Sequence, residues 1–178
     1  VCIPIRSVQA RMRFNIAHCL SDRIITVSNA VSAYIIDEEW ALPAKVSTVH
    51  TGVSALFFDR SFHRRPNRNV FRAIGRLDVV KNFDLLSHAF RNAVNINPRL
   101  RLEIYGDGAE KNALSRLIRA LGLTDYVYLK GYSENIHALH KDTSCLLVPS
   151  HSEGFPNAAC EAMAAGVPVL TSTAAGSV

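Results

Sequence analysis

From residue 70 onward, apolar and polar positions switch repeatedly between two periods. Short runs repeat near two and longer ones near 3.6, the marks of strands and helices. Residues 70–77 read as a strand running into a turn. Residues 82–95 read as a helix with Phe83, Leu86, Phe90, Ala93 and Val94 on one face. Residues 100–105 alternate as a strand and stop at Gly106-Asp107-Gly108. Residues 109–121 follow as a helix, with Leu114, Leu117, Ile118 and Leu121 at i, i+3, i+4 and i+7 and Gly122 at its end. A strand over residues 127–130 closes on Gly131, and a short helix is expected over 134–140. Residues 145–148 are continuously apolar, as in a strand covered on both faces. The helix after Pro156 ends at Gly166, and residues 167–170 form the next strand. This alternation predicts an α/β fold, a Rossmann-like parallel sheet with helices on both faces. Ligands of such sheets bind beyond the carboxyl ends of the strands. The loops after Leu77, Tyr105, Lys130 and Val148 are therefore expected to share one edge.

The first fifty residues carry a different pattern. Residues 7–20 read as a helix with Val8, Met12, Ile16, Cys19 and Leu20 inward. Residues 23–27 read as a strand, 28–37 as a helix capped by Ser28, and 46–50 as another strand leading to Gly52. Asp37-Glu38-Glu39 reads as a solvated helix end. Residues 1–53 are expected to be the tail of a preceding domain, 54–69 a basic linker, and 70–178 the main domain, truncated at its C-terminus. The chain opens on Val1 rather than Met, so a piece of a longer protein is expected.

Charge adds a constraint on partners. The 178 residues carry a net charge of +5, densest in the run from Arg60 to Arg68. A basic surface suits anionic lipid or a phosphorylated substrate, and a solvated loop would account for the same run. Without aromatic residues interleaved among the cations, nucleic acid is not an expected partner. Cys2, Cys19, Cys145 and Cys160 have no metal-ligand spacing and read as reduced structural cysteines. No Asp-x-Asp pair suggests a divalent metal for phosphates, so no metal site is expected, and no cofactor.

Three motifs carry candidate chemistry. In the strongest, Glu153 precedes the turn Gly154-Phe155-Pro156-Asn157, and Glu161 rides the following helix eight positions on. Backbone N–H groups at such a helix start, Ala158 included, can bind an anion, and both carboxylates can accept bonds from hydroxyls. Ala158, Ala159, Ala162 and Ala165 let that helix lie close to the sheet. In the second, Gly75-Arg76-Leu77 ends a strand and Lys81-Asn82 opens a helix. Arginine offers phosphate a planar fork and lysine a mobile charge, which suits a diphosphate. The third, Gly106-Asp107-Gly108, is a glycine turn at the same edge; Gly106 would let a ligand approach the backbone.

Together these residues resemble the retaining GT-B glycosyltransferases of family 4 (glycosyl transferases group 1), specifically their C-terminal donor-binding domain with the tail of the N-terminal domain. The resemblance rests on Gly75-Arg76-Leu77 with Lys81-Asn82, Gly106-Asp107-Gly108, Gly131, and Pro149-Ser150 leading into Glu153-Gly154-Phe155-Pro156-Asn157 and Glu161-Ala162-Met163. Thr51 and Ser54 depart from the family's Asn-Gly-Val-Asp, so no role is carried to them. The resemblance implies that Arg76 and Lys81 bind the donor diphosphate, Glu153 approaches the donor sugar and Glu161 holds the ribose. Gly75, Gly106, Gly131, Gly154, Phe155, Pro156, Asn157 and Ala158 would line the rest of the donor site, with the loop after Gly131 near the base.

The expected activity is metal-independent, retaining transfer of a hexose-type sugar from a UDP- or GDP-sugar to a glycan or lipid-linked acceptor. The expected location is the cytoplasm, at the inner face of a membrane with anionic lipid. The isolated chain is expected to bind donor without transferring sugar. Arg76→Ala or Lys81→Ala is expected to lower turnover far more than Asp78→Ala. A nucleotide-sugar epimerase of the same scaffold and a non-catalytic nucleotide-sugar-binding fragment are the alternatives.

Overall fold

The structure, a computed structural model, describes residues 8–58 and 66–173. The chain divides into two compact units. One holds the described residues up to Gly52 together with Ser152–Pro156; the other holds the described residues of Val53–His151 and those from Asn157 on.

The first unit contains helix α1 (Val8–Leu20), strand β1 (Ile24–Thr26), helix α2 (Asn29–Asp37) and strand β2 (Val46–Thr48). β1 and β2 pair in parallel, with Ile24 opposite Val46. Ser28 caps α2 by accepting from the Val31 N–H at 3.3 Å. The Lys45 ammonium closes α1, donating to the carbonyls of Cys19 at 3.1 Å and Ser21 at 2.8 Å.

Two expectations fail in this unit. α1 forms, but Ile16, Cys19 and Leu20 are exposed; the described part of the unit offers only a two-stranded ribbon and one further helix for cover. Val8 and Met12 have side chains outside the described residues. Glu39, expected in solvent, is buried, its carboxylate partnered by the His18 ring of α1 at 3.0 Å.

The second unit is a five-stranded parallel sheet in the order β5-β4-β3-β6-β7. Its strands are β3 (Val70–Ile74), β4 (Arg101–Tyr105), β5 (Val127–Gly131), β6 (Cys145–Val148) and β7 (Val169–Thr171). The chain runs outward from β3 through β4 to β5, then returns to the other side of β3 for β6 and β7. The strand order thus reverses between β3 and β6, and a crevice opens at such a reversal.

Helices α3 (Phe83–Ile96) and α4 (Lys111–Ala120) cover one face. Their apolar stripes pack Phe83, Leu86, Phe90, Leu114 and Ile118 on Ala73, Leu102, Ile104 and Leu147. On the other face, α6 (Asn157–Ala164) packs Ala159 and Ala162 on Leu146 and Val148. α5 (Ile136–Leu139) is a single turn capped by Asn135, shorter than the expected 134–140. Of the basic linker, residues 59–65 lie outside the described residues, and Ala55–Phe58 forms one 3-10 turn against α6. No helix among the described residues is long and apolar enough to cross a membrane.

A buried cation sits inside this sheet. Arg72 on β3 faces Glu103 across the strand pair, with Nε donating to Glu103 Oε2 at 2.7 Å. Its Nη1 donates to Thr143 Oγ1 at 2.8 Å and also bonds Asp142 and the Leu139 carbonyl. The Tyr105 hydroxyl donates to the same Glu103 oxygen at 3.2 Å, and the ring lies beside the guanidinium. Burial opposes the charge, but Asp142 and Glu103 more than offset it, so Arg72 titrates above its ordinary value. In return Arg72 holds the Asp142 carboxyl below the usual carboxylate range.

Candidate functional site

All five strands of the second unit run the same way, so their carboxyl ends share one edge. Three glycines stand along it. The Gly75 N–H donates to the Tyr105 carbonyl at 2.9 Å, and the Gly106 N–H to the Gly131 carbonyl at 2.8 Å. The loops after β3, β4 and β5 are thereby joined side by side.

Gly106 and Gly108 do something the sequence did not reveal. A methyl on Gly106 would stand 2.8 Å from the Gly75 carbonyl carbon and closer still to its oxygen; on Gly108 it would strike Leu77 in the same way. Both have positive φ, 143° and 159°. The backbone approach that these glycines permit is made by the loop 75–77. The Leu77 N–H completes the lock by donating to the Asp107 carbonyl at 2.9 Å. The Asp107 carboxylate accepts from the Gly108 N–H at 2.8 Å and Lys111 at 3.1 Å, which hold it below the usual range.

Gly106→Ala is therefore expected to cost about 3 kcal/mol, from overpacking and a strained φ together. Gly131→Ala should cost only about 1 kcal/mol: φ is 75°, but nothing lies within 4 Å of the added carbon. Urea denaturation of the two variants checks the order, and equal midpoints would contradict the lock.

The cation loop is equally well defined. Arg76 is exposed, and its Nε donates to Asp78 Oδ2 at 2.6 Å. Asp78 Oδ1 accepts from the Lys81 backbone N–H at 3.1 Å, capping the 3-10 turn Val79–Lys81. The Lys81 stem lies over Gly75, its Cε 3.2 Å from where a Cβ would stand. Asn82 is buried at φ 54°, a left-handed conformation asparagine tolerates, and its amide donates to the Pro149 carbonyl at 3.2 Å. The His151 N–H donates to the Val80 carbonyl at 2.8 Å. These two bonds tie the loop after β3 to the start of the loop after β6, across the strand reversal.

Within the second unit, then, Gly75, Arg76, Lys81, Gly106 and Gly131 come to one sheet edge. Asn157, Ala158 and Glu161 lie on α6, which follows the loop leaving β6 at that edge. Burial raises the Glu161 carboxyl above its ordinary value, and together with the Glu161 charge raises the Cys160 thiol. Glu153, Gly154, Phe155 and Pro156 group with the first unit. There Gly154 is buried and the other three are half-buried. Among the described residues no cluster of His, Cys, Asp or Glu could hold a metal ion. The sequence reading missed Asp78; its signal was the spacing of an aspartate three residues before Lys81, the mark of a capping residue.

Residues 57–178 match the family model of the glycosyl transferases group 1, and the chain belongs to that family. A D-inositol 3-phosphate glycosyltransferase of Thermobifida fusca is 30% identical over 176 residues, covering 88% of this chain and 41% of the relative. An uncharacterized glycosyltransferase of Methanocaldococcus jannaschii is 37% identical over 102 residues, 57% of this chain and 25% of the relative. Among solved structures, Anabaena HepE with UDP and glucose superposes with a TM-score of 0.82 at 20% identity, covering 98% of this chain and 51% of HepE. The pneumococcal O-GlcNAc transferase GtfA with UDP and GlcNAc gives 0.75 at 26% identity, over 91% of this chain and 32% of GtfA. The chain thus spans about half of these proteins or less. The parallel sheet flanked by helices matches GT-B glycosyltransferases. The relatives named here are glycosyltransferases, which does not favour the epimerase alternative.

Proposed function

We propose that this chain is the donor-binding half of a retaining, metal-independent family 4 glycosyltransferase. It would move a hexose-type sugar from a UDP- or GDP-sugar to a glycan or lipid-linked acceptor. The observation that carries this reading is the loop after β3, which sets Arg76 and Lys81 beside a glycine-joined sheet edge, in a chain of this family. UDP in the HepE and GtfA structures supports a nucleotide-sugar donor.

In this mechanism the departing nucleoside diphosphate gains negative charge. Arg76, Lys81 and the N–H groups at the start of α6 stabilise it in place of a metal. Attack comes from the face the diphosphate leaves, so retention needs no carboxylate nucleophile. Glu153 positions the sugar hydroxyls, and Glu161 accepts from the ribose hydroxyls. Residues 1–53 belong to the acceptor-side domain, 54–69 link the domains, and 70–178 bind the donor. Catalysis needs the other wall of the cleft, so this chain alone binds donor without transferring sugar. The basic residues bring the enzyme to anionic lipid at the inner face of a membrane.

Glu161 provides the test. Its folded-state value is raised by burial, so at neutral pH its ionised carboxylate costs the ligand-free chain stability. Glu161→Gln should raise the melting temperature at pH 7, and the gain should vanish below about pH 4, where the unfolded glutamate is also protonated. The same variant should weaken UDP binding measured by calorimetry. Unchanged UDP affinity would remove the ribose role.

A further inference from the structure

We propose that Asp78 is a positioning residue, whose single carboxylate holds the Arg76 guanidinium and caps the turn that carries Lys81. The inference rests on the donor-diphosphate reading above. One oxygen, Oδ2, accepts from Arg76 Nε at 2.6 Å; the other, Oδ1, accepts from the Lys81 N–H at 3.1 Å. The two partners differ sharply in exposure. The Asp78 side chain is 23% exposed and the Arg76 side chain 70%. The carboxylate is thus the fixed member, held by the turn it caps, and the arginine is the member that needs holding.

A long exposed side chain loses rotamer freedom when it meets a ligand. The bond to Nε settles part of that ordering in advance. It uses one edge of the guanidinium and leaves the terminal amino groups for phosphate oxygens. The second bond sets the turn that carries Lys81, whose stem lies over Gly75. One acidic group therefore holds the guanidinium directly and fixes the backbone from which the Lys81 side chain leaves.

The charge of Asp78 points the same way. A carboxylate bonded to Arg76 also repels an incoming diphosphate, which offsets the ground-state affinity that pre-ordering would add. Its contribution is geometry, and geometry is felt in the chemical step. A residue that only stabilised the loop would affect binding and turnover together. Asp78 should separate them.

The experiment uses the intact protein carrying Asp78→Asn. Asparagine keeps an oxygen that can cap the Lys81 N–H and removes the charge that holds Arg76. The melting temperature should stay within about 3 °C of the parent, as for a surface change. The kcat should fall about tenfold, while UDP affinity by calorimetry should stay equal or rise up to about threefold. Asp78→Ser, a second uncharged capping residue, should give the same split and serves if the asparagine variant does not fold. Parental kcat in these variants, with Arg76→Ala impaired, would overturn the proposal. So would an equal loss of kcat and UDP affinity with a lowered melting temperature. Parental kcat and UDP affinity in Arg76→Ala would instead remove the donor reading itself, and the proposal with it.

Discussion

Arg72→Ala is expected to destabilise the chain by about 3 kcal/mol at neutral pH. Breaking a buried ion pair from one side costs about 3–5 kcal/mol, because the partner left behind keeps its charge without its compensation. The low end applies here. Asp142 is 51% exposed and can recover water, and Glu103, 20% exposed, keeps the Tyr105 hydroxyl at 3.2 Å and Lys130 at 3.9 Å but loses its main partner. The effect should depend on pH with a definite sign. Asp142 titrates below its ordinary range in the folded chain, chiefly through its bond to Arg72. A depressed acid contributes stability that is present above its unfolded value, near pH 4, and is lost as pH falls through the folded value. The gap between parent and variant should therefore be full at pH 7 and narrow below about pH 4. Urea denaturation across pH 3–7 measures it. Arg72→Met, which fills similar volume without charge, should be no better while Glu103 stays. Arg72→Met with Glu103→Leu should recover much of the loss, since a buried pair can be replaced by apolar residues.

The second large effect falls on turnover. At 4 Å near a protein surface, two unit charges interact by about 4 kcal/mol. If half of that arises only as the diphosphate departs, each cation is worth about 30-fold in rate. Arg76→Ala and Lys81→Ala should each lower kcat of the intact protein by about that factor. The pair together should lose less than about 1000-fold, because both contact one ligand and their effects overlap. Asp78 is no longer a neutral control for this comparison, being bonded to both residues. Asp125, an exposed residue in the turn before β5, is the better one, and Asp125→Ala should leave kcat unchanged. Arg76 and Lys81 variants with parental kcat would contradict a diphosphate role.

The repeating strands and helices were legible because each buried element keeps its period over several residues. Phe83, Leu86, Phe90 and Val94 are buried as their spacing predicts, and Gly122 turns at φ 69° where α4 ends. Cys145–Val148 is the β6 expected from its unbroken apolar run. What escaped the sequence depends on partners far along the chain. Arg72 is the one charged residue of Val70-Phe71-Arg72-Ala73-Ile74, on the same face as Val70 and Ile74, and that spacing does not name the groups that pair with it. Glu103, Asp142 and Thr143, from elsewhere in the chain, make its burial tolerable. Glu39 escaped for the same reason, its partner being His18. The apolar stripe of α1 misled in the opposite sense, because spacing specifies a face without saying what covers it.

At the site, the glycines were legible as turns, though not in their use. Gly106 read as a turn that a ligand could approach; the space where side chains would stand at Gly106 and Gly108 is taken by the carbonyls of Gly75 and Leu77. They allow the loop carrying Arg76 to lie against the loop after β4. Glu153 and Glu161, eight positions apart, read as one motif; Glu153 groups with the first compact unit and Glu161 with the second.

The most direct measurement is calorimetric titration of this chain with UDP in EDTA, beside the Arg76→Ala/Lys81→Ala double variant. A donor-diphosphate site made of these two cations predicts one saturable site in the parent without divalent metal, and a loss of at least about 30-fold in affinity in the double variant, as ground-state contacts to both phosphates disappear. Binding of equal strength in both proteins, or binding in the parent that appears only when a divalent metal is restored, would contradict it.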